Sequence, residues 1–425
     1  MGSMDVYRVA PLSAPIDATI EVPGSKSVAN RALVCAALAE GETVLRGVPD
    51  GDDTEAMLDC LRALGLEAER AGDDVRIAGG VRSFRRGPVT LPARLAGTTS
   101  RFVTALAALG PGPYTIDGHP PLRARPMAPL HDALVSMGVQ VQPSEGWGHL
   151  PVTVQGPVDV TLDEVSLRGD VSSQYLTALM LIAPYFPNGL RFMLTTPLVS
   201  RPYIRITAAV MAAFGVPGVE LGDRIITVPA GRYSARQFTI EPDASSASYP
   251  LAAAAICGGR VRVPGLTNTS LQGDAAFCQV LARMGCEVVQ DQWGTTVSRH
   301  GDLHGIDINM VDLSDLVPTL AVVAAFANSP TDIHGVAFIR NKESDRLSDL
   351  CRELRHAGVD AVDNPDGLIV RPGAAHTATL ATHHDHRLAM AFALLGLGAS
   401  GIIVEDPDVV SKSWPDFWTM IESLR

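Results

Sequence analysis

Two stretches in the first half of the chain place basic residues in the opening turn of an apolar segment. In PGSKSVANR, Lys26 follows a glycine-serine turn, and Arg31 lies four residues after Ser27 on one face of a predicted helix. In AGTTSR, Gly97 opens the turn and Arg101 follows one turn later. A helix start presents unpaired N–H groups and about half a unit of positive charge, so these turns indicate anion binding. The structural alternative is a capped helix with solvated cations.

Further groups suited to phosphate, carboxylate and hydroxyl recognition follow. Arg123 and Arg125 lie in the proline-bounded loop HPPLRARPM, and the planar guanidinium binds carboxylate or phosphate bidentately. A solvated loop is the alternative there. The segments DVSSQY and LVSRPYI contribute hydroxyl and amide groups that suit a polyol or act as ordinary helix caps: Ser172, Ser173, Gln174, Ser200 and Tyr203.

The second half of the chain supplies carboxylates together with more cations. Asp315 precedes a helix with proline in its first turn, and Glu343 lies in the charged segment IRNKESDRL, which could also be a helix start with local ion pairs. The cations of this half are Lys342, Arg346, Arg387 and Lys412. Many cations with two or three carboxylates favour group transfer on a polyanionic substrate. We predict that this chemistry requires no cofactor.

A metal site at the histidine-rich segment THHDHR is disfavoured. Its members are His383, His384 and His386, and side chains so close in sequence seldom converge on one ion. We therefore predict no metal.

Two interleaved repeats indicate the elements that position these residues. Helical stretches that end at a glycine recur every 70 to 77 residues, at Gly65, Gly138, Gly215, Gly285 and Gly358, and a sixth helix ends the chain. Polar turns that open onto Ala/Leu-rich helices recur every 71 to 74 residues, from 24 to 385. Because these second helices are apolar nearly all round, we expect them to be buried. Six units of two helices and short strands thus fill the chain.

Composition limits the class of protein. A chain of 425 residues is too long for one ordinary core, so two lobes of three repeats each are expected. A net charge of −12 disfavours nucleic-acid binding through bulk electrostatics. No apolar run reaches membrane-spanning length, and no secretory or transit segment is visible at the start. We expect a cytoplasmic monomer that binds small molecules, neither membrane nor nucleic acid.

Eleven collinear segments give a resemblance that covers nearly the whole chain. They are PGSKSVANRAL, AGTTSRF, RARPM, DVSSQYLTAL, LVSRPYI, DASSASY, LQGD, SDLVPTLA, KESDRL, DHRLAMAF and SKSWPDF. In this order they resemble the 5-enolpyruvylshikimate-3-phosphate (EPSP) synthase family of enolpyruvyl transferases. The resemblance implies an α/β fold of six βαβαββ-type repeats, three per lobe, with helices buried within each lobe. It also implies that residues 1–23 plus 242–425 form one lobe and 24–241 the other, with the active site in the cleft between them.

The activity implied is transfer of the enolpyruvyl group of phosphoenolpyruvate to the 5-hydroxyl of shikimate 3-phosphate, with release of phosphate, in chorismate and aromatic amino acid biosynthesis. By motif match, shikimate 3-phosphate is expected to contact Lys26, Ser27, Arg31, Ser172, Ser173, Gln174, Ser200, Tyr203, Asp315 and Lys342. Phosphoenolpyruvate is expected to contact Lys26, Gly97, Arg125, Gln174, Arg346, Arg387 and Lys412. The expected catalytic residues are Glu343 as proton donor to carbon, Asp315 as base, and Lys26 and Lys342 between the substrates.

Two positions depart from the family pattern. Leu95 stands where asparagine is usual and cannot donate the amide hydrogen bond expected at the phosphoenolpyruvate end, and Phe102 stands where proline is frequent. Gly97 keeps room for an inhibitor, so sensitivity to glyphosate is expected. The rival functions are enolpyruvyl transfer to a UDP-sugar or a nucleotide, and non-catalytic anion binding. The region PGPYTIDGHPPLRARP lacks the cysteine typical of the sugar-nucleotide enzyme.

Overall fold

The computed structural model describes residues 5–158 and 161–425. Residues 1–4, which the predicted first lobe includes, lie outside the described part. The chain divides into two compact units, named here the split unit (residues up to Pro23 with Glu241–Arg425) and the central unit (Gly24–Ile240). The second boundary predicted from the sequence, after residue 241, lies one residue further along the chain.

The described residues form short strands that alternate with helices. The α-helices are α1 (Lys26–Leu38), α2 (Asp52–Ala63), α3 (Gly97–Ala107), α4 (Pro120–Arg123), α5 (Ala128–Ser136), α6 (Ser173–Ile182), α7 (Arg201–Ala213), α8 (Ala244–Cys257), α9 (Phe277–Arg283), α10 (Val317–Ala325), α11 (Ser348–His356), α12 (His386–Gly398) and α13 (Phe417–Ser423). The strands before the second boundary between the units are β1 (Val6–Arg8), β2 (Ile16–Thr19), β3 (Gly41–Arg46), β4 (Glu67–Ala71), β5 (Asp74–Gly79), β6 (Val89–Pro92), β7 (Tyr114–Asp117), β8 (Gln140–Pro143), β9 (Val152–Gln155), β10 (Glu164–Leu167), β11 (Leu190–Leu194), β12 (Glu220–Leu221), β13 (Ile225–Val228) and β14 (Gln237–Thr239). Those after it are β15 (Gly259–Pro264), β16 (Glu287–Gln290), β17 (Gly294–Arg299), β18 (Asp307–Asn309), β19 (Thr331–His334), β20 (Asp360–Asn364), β21 (Gly367–Arg371), β22 (Ala378–Leu380) and β23 (Ile402–Glu405).

The Ala/Leu-rich helices predicted from the second repeat form the core of each unit. Helices α1, α3 and α6 pack on one another in the central unit, and α8, α10 and α12 do so in the split unit. Almost every residue of these helices is buried, because alanine and leucine on all faces let neighbouring helices approach closely. Each helix begins one to three residues after its predicted start, so the prediction of buried inner helices is confirmed.

The sheets repeat one topology. The central unit contains the strand orders β14-β3-β5-β4, β6-β7-β9-β8 and β10-β11-β13-β12, and the split unit contains β2-β15-β17-β16, β18-β19-β21-β20 and β22-β23-β1. In each four-stranded sheet the first two strands are parallel and the others antiparallel. A parallel pair requires a crossover connection, and an inner helix provides it in four sheets: α3 between β6 and β7, α6 between β10 and β11, α10 between β18 and β19, and α12 between β22 and β23. The predicted α/β fold of six repeats is confirmed, although the last sheet has three strands and takes one of them from the N-terminus.

The first repeat series predicts the outer helices and their ends. Helices α2, α5, α7, α9 and α11 each run into the predicted glycine, and all five glycines have positive φ, between 82° and 107°. Glycine adopts this left-handed conformation without the strain that a Cβ atom would introduce. In the described residues no helix is both long and apolar enough to cross a lipid bilayer.

Candidate active site

The start of α1 carries Lys26, whose amine is held by a buried carboxylate. Ser25 caps the helix by accepting a hydrogen bond from the Val28 N–H, and Lys26 Nζ lies 3.1 Å from Asp53 Oδ2. Asp53 belongs to the first turn of α2, and its backbone carbonyl accepts a hydrogen bond from Thr99 Oγ1 at 3.0 Å. The starts of α1, α2 and α3 therefore meet around Lys26.

Asp53 was not predicted from the sequence. An acidic residue in a first helical turn is common because it interacts favourably with the helix dipole. The segment GDDTE therefore reads as an ordinary helix start, and only the fold shows that Asp53 is buried against Lys26.

Arg31 is a buried cation surrounded by neutral oxygens. Its Nε donates to Thr207 Oγ1 at 2.8 Å, and its other nitrogens donate to the carbonyls of Ser27 (2.6 Å) and Tyr203 (3.1 Å). Burial lowers the pKa of the guanidinium to about 10. Within the described ranges no carboxylate lies in hydrogen-bonding distance of Arg31, so its charge can serve an anionic ligand.

Phe102 has a structural role beside this cation. Its ring is fully buried, and its centroid lies 5.6 Å from Arg31 Cζ. An aromatic face near a guanidinium adds a favourable electrostatic interaction. The residue that replaces proline of the family pattern therefore supports Arg31. Leu95, the other departure, is 43% exposed.

Two arginines converge on Gly97 at the start of α3. A Cβ atom on Gly97 would lie 2.6 Å from Arg101 Nη1 and 2.7 Å from Arg125 Nη1. Arg101 is buried, donates to the Gly97 carbonyl at 2.8 Å, and lies 5.4 Å from the ring of Tyr175. The absence of a side chain at Gly97 therefore lets both guanidinium groups approach the helix start, which makes this turn strongly electropositive.

The two arginines of the RARP loop have different roles. The guanidinium of Arg125 lies against Gly97. Arg123 instead forms ion pairs with Asp117 at 2.9 Å and with Glu145 at 2.8 Å. Arg123 therefore braces the loop, and Arg125 belongs to the electropositive turn.

The hydroxyl and amide groups predicted to bind a polyol lie at the starts of α6 and α7. Ser172 caps α6 by accepting from the Gln174 N–H, and Gln174 Nε2 donates to Thr98 Oγ1 at 3.2 Å, next to Gly97. Gln174 Oε1 is buried and accepts no hydrogen bond from the described residues. Ser200 precedes α7 in the left-handed conformation, with φ of 55°. Its neighbour Val199 donates its N–H to the carbonyl of Gly169, which joins the two loops.

The remaining predicted residues of this group lie next to those contacts. Ser173 begins α6 and is buried, and Tyr203 in α7 places its ring 6.0 Å from Arg31 Cζ.

The split unit holds a second charged cluster, centred on Arg346. This guanidinium is fully buried, and it donates to Asp385 at 2.7 Å, Glu343 at 2.7 Å and Asp315 at 3.0 Å. The three carboxylates raise its pKa above the usual range although burial alone would lower it. The structure thus brings together two predicted carboxylates and one predicted cation.

Asp315 lies between two arginines. Its Oδ1 accepts from Arg346, and its Oδ2 accepts from Arg387 at 2.8 Å. Burial alone would raise the pKa of this carboxyl, but Arg387, Lys342 and Arg346 outweigh burial and hold the pKa well below its ordinary value. The same interaction places Lys342 near Asp315. Lys412, the fourth predicted cation, ends a 3₁₀ segment that packs on α12 and is largely buried.

Asp385 is a further member that sequence reasoning missed. Its Oδ1 accepts from the Arg387 N–H at 2.9 Å and caps α12, while Oδ2 accepts from Arg346 Nε at 2.7 Å. One fully buried carboxylate therefore binds the Arg346 guanidinium and caps the helix that carries Arg387. In the sequence, DHR reads as an N-cap followed by a helix, which explains the capping bond but gives no sign of the bond to Arg346.

Asp274 is the second missed carboxylate of the split unit. It is 6% exposed and accepts a hydrogen bond from Ser245 Oγ at the start of α8. Burial, and to a lesser degree the charge of Asp315, raise the pKa of Asp274 to about 7. A carboxyl near the cluster can therefore hold a proton at near-neutral pH.

Other charged residues of the same segments lie apart from the cluster. Arg340 pairs with Asp345 and Asp363 at 3.1 and 3.0 Å. The histidines have separate surroundings: His383 contacts Glu353, His384 contacts Asp406 at the surface, and His386 is buried.

Comparison with known proteins identifies the family. The family model described as EPSP synthase (3-phosphoshikimate 1-carboxyvinyltransferase) matches residues 12–421. A curated 3-phosphoshikimate 1-carboxyvinyltransferase of Nostoc punctiforme is 42% identical over 419 residues, which are 98% of each chain. The chain belongs to the EPSP synthase family. One of Methanosphaerula palustris, another similar relative, is 41% identical over 96% of each chain.

Solved structures support the fold of the EPSP synthase family. An EPSP synthase from Acinetobacter baumannii superposes with a TM-score of 0.83 at 24% identity, over 99% of this chain and 98% of that one. The enolpyruvyl transferase NikO from Streptomyces tendae gives a TM-score of 0.78 at 18% identity, over 99% and 97%. At such identities the superpositions concern the fold alone. The family assignment makes the chain a transferase, so the predictions of family, fold and enzyme are confirmed.

Proposed function

We propose that the protein transfers the enolpyruvyl group of phosphoenolpyruvate to the 5-hydroxyl of shikimate 3-phosphate and releases phosphate. The curated relatives are named for this activity, and the chain matches them over nearly their whole length. The observation in the structure that carries the proposal is the Arg346 cluster, where Asp315 and Glu343 lie against one buried guanidinium. A non-catalytic anion site has no need for two carboxylates that compete with its ligand.

Each unit carries cations that this proposal assigns to phosphoenolpyruvate. In the central unit, Arg125 and the α3 N–H groups at Gly97 bind one anionic group, and Gln174 binds beside them. In the split unit, Arg346 and Arg387 bind another. Lys26 and Lys412 complete the set. The support is the convergence of Arg125 on Gly97 and the shared contact of both split-unit arginines with Asp315.

Shikimate 3-phosphate is assigned to the starts of α1, α6 and α7. Arg31 offers a buried charge without a carboxylate partner in the described part of the chain. The neighbouring hydroxyl and amide groups are those of Ser27, Ser172, Ser173, Gln174, Ser200 and Tyr203. Gln174 Oε1 is a buried acceptor that a substrate hydroxyl can satisfy. Lys26 and Lys342 are assigned positions near both substrates.

The chemistry proposed is addition followed by elimination. Glu343 donates a proton to carbon 3 of phosphoenolpyruvate, carbon 2 becomes electrophilic, and the 5-hydroxyl attacks it while Asp315 takes the hydroxyl proton. The product of this step is a tetrahedral ketal. Its C–O bond to phosphate then breaks, and the Glu343 carboxylate, which gave up its proton in the addition, takes a proton from carbon 3 to restore the double bond. Each carboxylate thus acts once as acid or base for the addition.

The low pKa of Asp315 bears on its role as base. Arg346 and Arg387 hold the carboxylate in its ionised form, which is the form a base needs, but they also reduce its basicity. A substrate carboxylate or phosphate that binds these arginines would compete with Asp315 for the same N–H groups. Substrate binding therefore increases the basicity of Asp315 in this proposal, which couples proton transfer to occupancy of the site.

The proposed acceptor can be tested directly. Phosphate release from phosphoenolpyruvate is measured with shikimate 3-phosphate, with UDP-N-acetylglucosamine and with a nucleoside monophosphate. Release only with shikimate 3-phosphate supports the proposal. Release with another acceptor alone moves the enzyme to a different substrate class, and no release with any of them refutes the proposed reaction.

We further propose that the enzyme acts in the cytoplasm as a monomer.

A further inference from the structure

The chain enters α12 through an unfavourable backbone conformation. His383 and His384 both lie in the left-handed region, with φ of 51° and 57°. Residues with a Cβ atom adopt this conformation at a cost in free energy, and two in succession persist only where other contacts hold them. The next residue is Asp385, which orients Arg346 and caps α12. The geometry of the Arg346 cluster therefore depends on what holds this turn.

Glu353 holds the turn from α11. Its Oε2 accepts the N–H of Ala381 at 3.1 Å, and its Oε1 lies 2.9 Å from His383 Nε2. The Glu353 side chain is only 7% exposed, so these contacts are largely shielded from water. Its two oxygens thus fix both ends of the three-residue segment that immediately precedes His384 and Asp385.

The same two chain segments are joined a second time. Arg346 lies two residues before α11 and binds Asp385, while Glu353 lies within α11 and binds Ala381 and His383. The contacts of Glu353 therefore set the distance and orientation at which Asp385 meets Arg346.

We propose that Glu353 and His383 are positioning residues of the enzyme, which hold Asp385 and thereby place the Arg346 guanidinium and the start of α12, which carries Arg387, for an anionic substrate. The inference deepens the proposed function, on which it rests, because it concerns the phosphoenolpyruvate site. His384 has a different place in this account. Its side chain is 86% exposed and contacts the exposed Asp406, so it contributes strain to the turn without a buried contact that compensates for it.

The test compares two substitutions at Glu353. Glu353→Ala removes both contacts, and we expect KM for phosphoenolpyruvate to rise about tenfold, with a smaller change in kcat. Glu353→Gln keeps an oxygen for the Ala381 N–H and places an amide near the His383 ring, so we expect a rise below about threefold. Asp360→Ala, which removes an exposed ion pair of the split unit, is the control and should leave KM unchanged.

A second-site change distinguishes positioning from general stability. Glycine adopts the left-handed conformation without strain. Adding His384→Gly to Glu353→Ala should therefore lower the raised KM for phosphoenolpyruvate by at least about threefold. A role in stability alone would lower the melting temperature of Glu353→Ala and leave its KM for phosphoenolpyruvate unchanged.

The outcomes separate this inference from the proposed function. Wild-type protein without activity refutes the proposed function. Active wild type with an unchanged KM in Glu353→Ala, or with no recovery by His384→Gly, refutes the positioning role. If Glu353→Ala does not fold, His383→Ala carries the test, because it removes only the ring contact and should raise the same KM.

Discussion

Replacing Asp274 by asparagine should stabilise the protein increasingly as pH rises. Asparagine has nearly the same shape and retains an oxygen that can accept the Ser245 hydroxyl hydrogen bond. Burial and Asp315 raise the pKa of Asp274 to about 7 in the folded protein, whereas an aspartate in an unfolded chain has a pKa of about 3.9. Between these two pH values the folded state retains a proton that the unfolded state has lost.

The sign and size of the effect follow from this difference. Because the folded state binds more protons, the wild-type free energy of unfolding falls as pH rises through this window, and the full penalty is present above about pH 7. The asparagine side chain does not titrate and escapes the penalty. Each pH unit contributes about 1.4 kcal/mol, so the advantage of Asp274→Asn should grow by about 3 kcal/mol between pH 5 and pH 8.

Urea denaturation of wild type and Asp274→Asn at pH 5 and pH 8 measures this advantage. Subtracting the two free energies of unfolding at each pH removes the contributions of other titrating groups that the substitution leaves unchanged. Asp360→Asn, at an exposed carboxylate of β20, serves as the matched control for the removal of one carboxylate charge from the split unit. An advantage of Asp274→Asn that is equal at both pH values, or smaller at pH 8, would refute the assignment of a proton to buried Asp274.

Three further predictions concern the two clusters. Glu343→Gln should lower kcat by roughly 10²- to 10⁴-fold in steady-state assays, because it removes the proton donor, and an unchanged kcat would rule out this role. Gly97→Ala should raise KM for phosphoenolpyruvate about tenfold, since the new methyl group displaces the guanidinium groups of Arg101 and Arg125; an equal KM would contradict their place in the site. Arg346→Met should lower the free energy of unfolding by about 3 to 5 kcal/mol in urea, because it leaves buried carboxylates without their cation, and a loss below about 1 kcal/mol would contradict this.

The elements were predictable where the sequence repeats itself. The inner helices recur with apolar residues on every face, and the outer helices recur with a terminal glycine, so both series could be located before their packing was known. The partner strands could not be located from the repeats. β14 completes the sheet of β3, and β1 completes the sheet of β23, through contacts between chain segments far apart in sequence.

The site was predictable where function requires an unusual residue and not where it uses a usual one. A lysine or arginine at the start of an apolar helix is conspicuous, as for Lys26 and Arg31. The sequence does not mark three buried carboxylates as members of the site: Asp53, Asp274 and Asp385. Acidic residues in the first turn or at the cap of a helix are common because they stabilise the helix locally. Their burial against Lys26, Ser245 and Arg346 arises only from tertiary packing.

Transfer of the intact enolpyruvyl group to shikimate 3-phosphate is tested most directly by isotope tracing. Phosphoenolpyruvate labelled with ¹⁸O at the bridging oxygen is incubated with the enzyme and shikimate 3-phosphate, and both products are analysed by mass spectrometry. Addition and elimination break the C–O bond, so the label should appear in the released phosphate, and the enol ether of shikimate 3-phosphate should form in equal amount. Unlabelled phosphate, or phosphate without the enol ether, would contradict the proposed reaction.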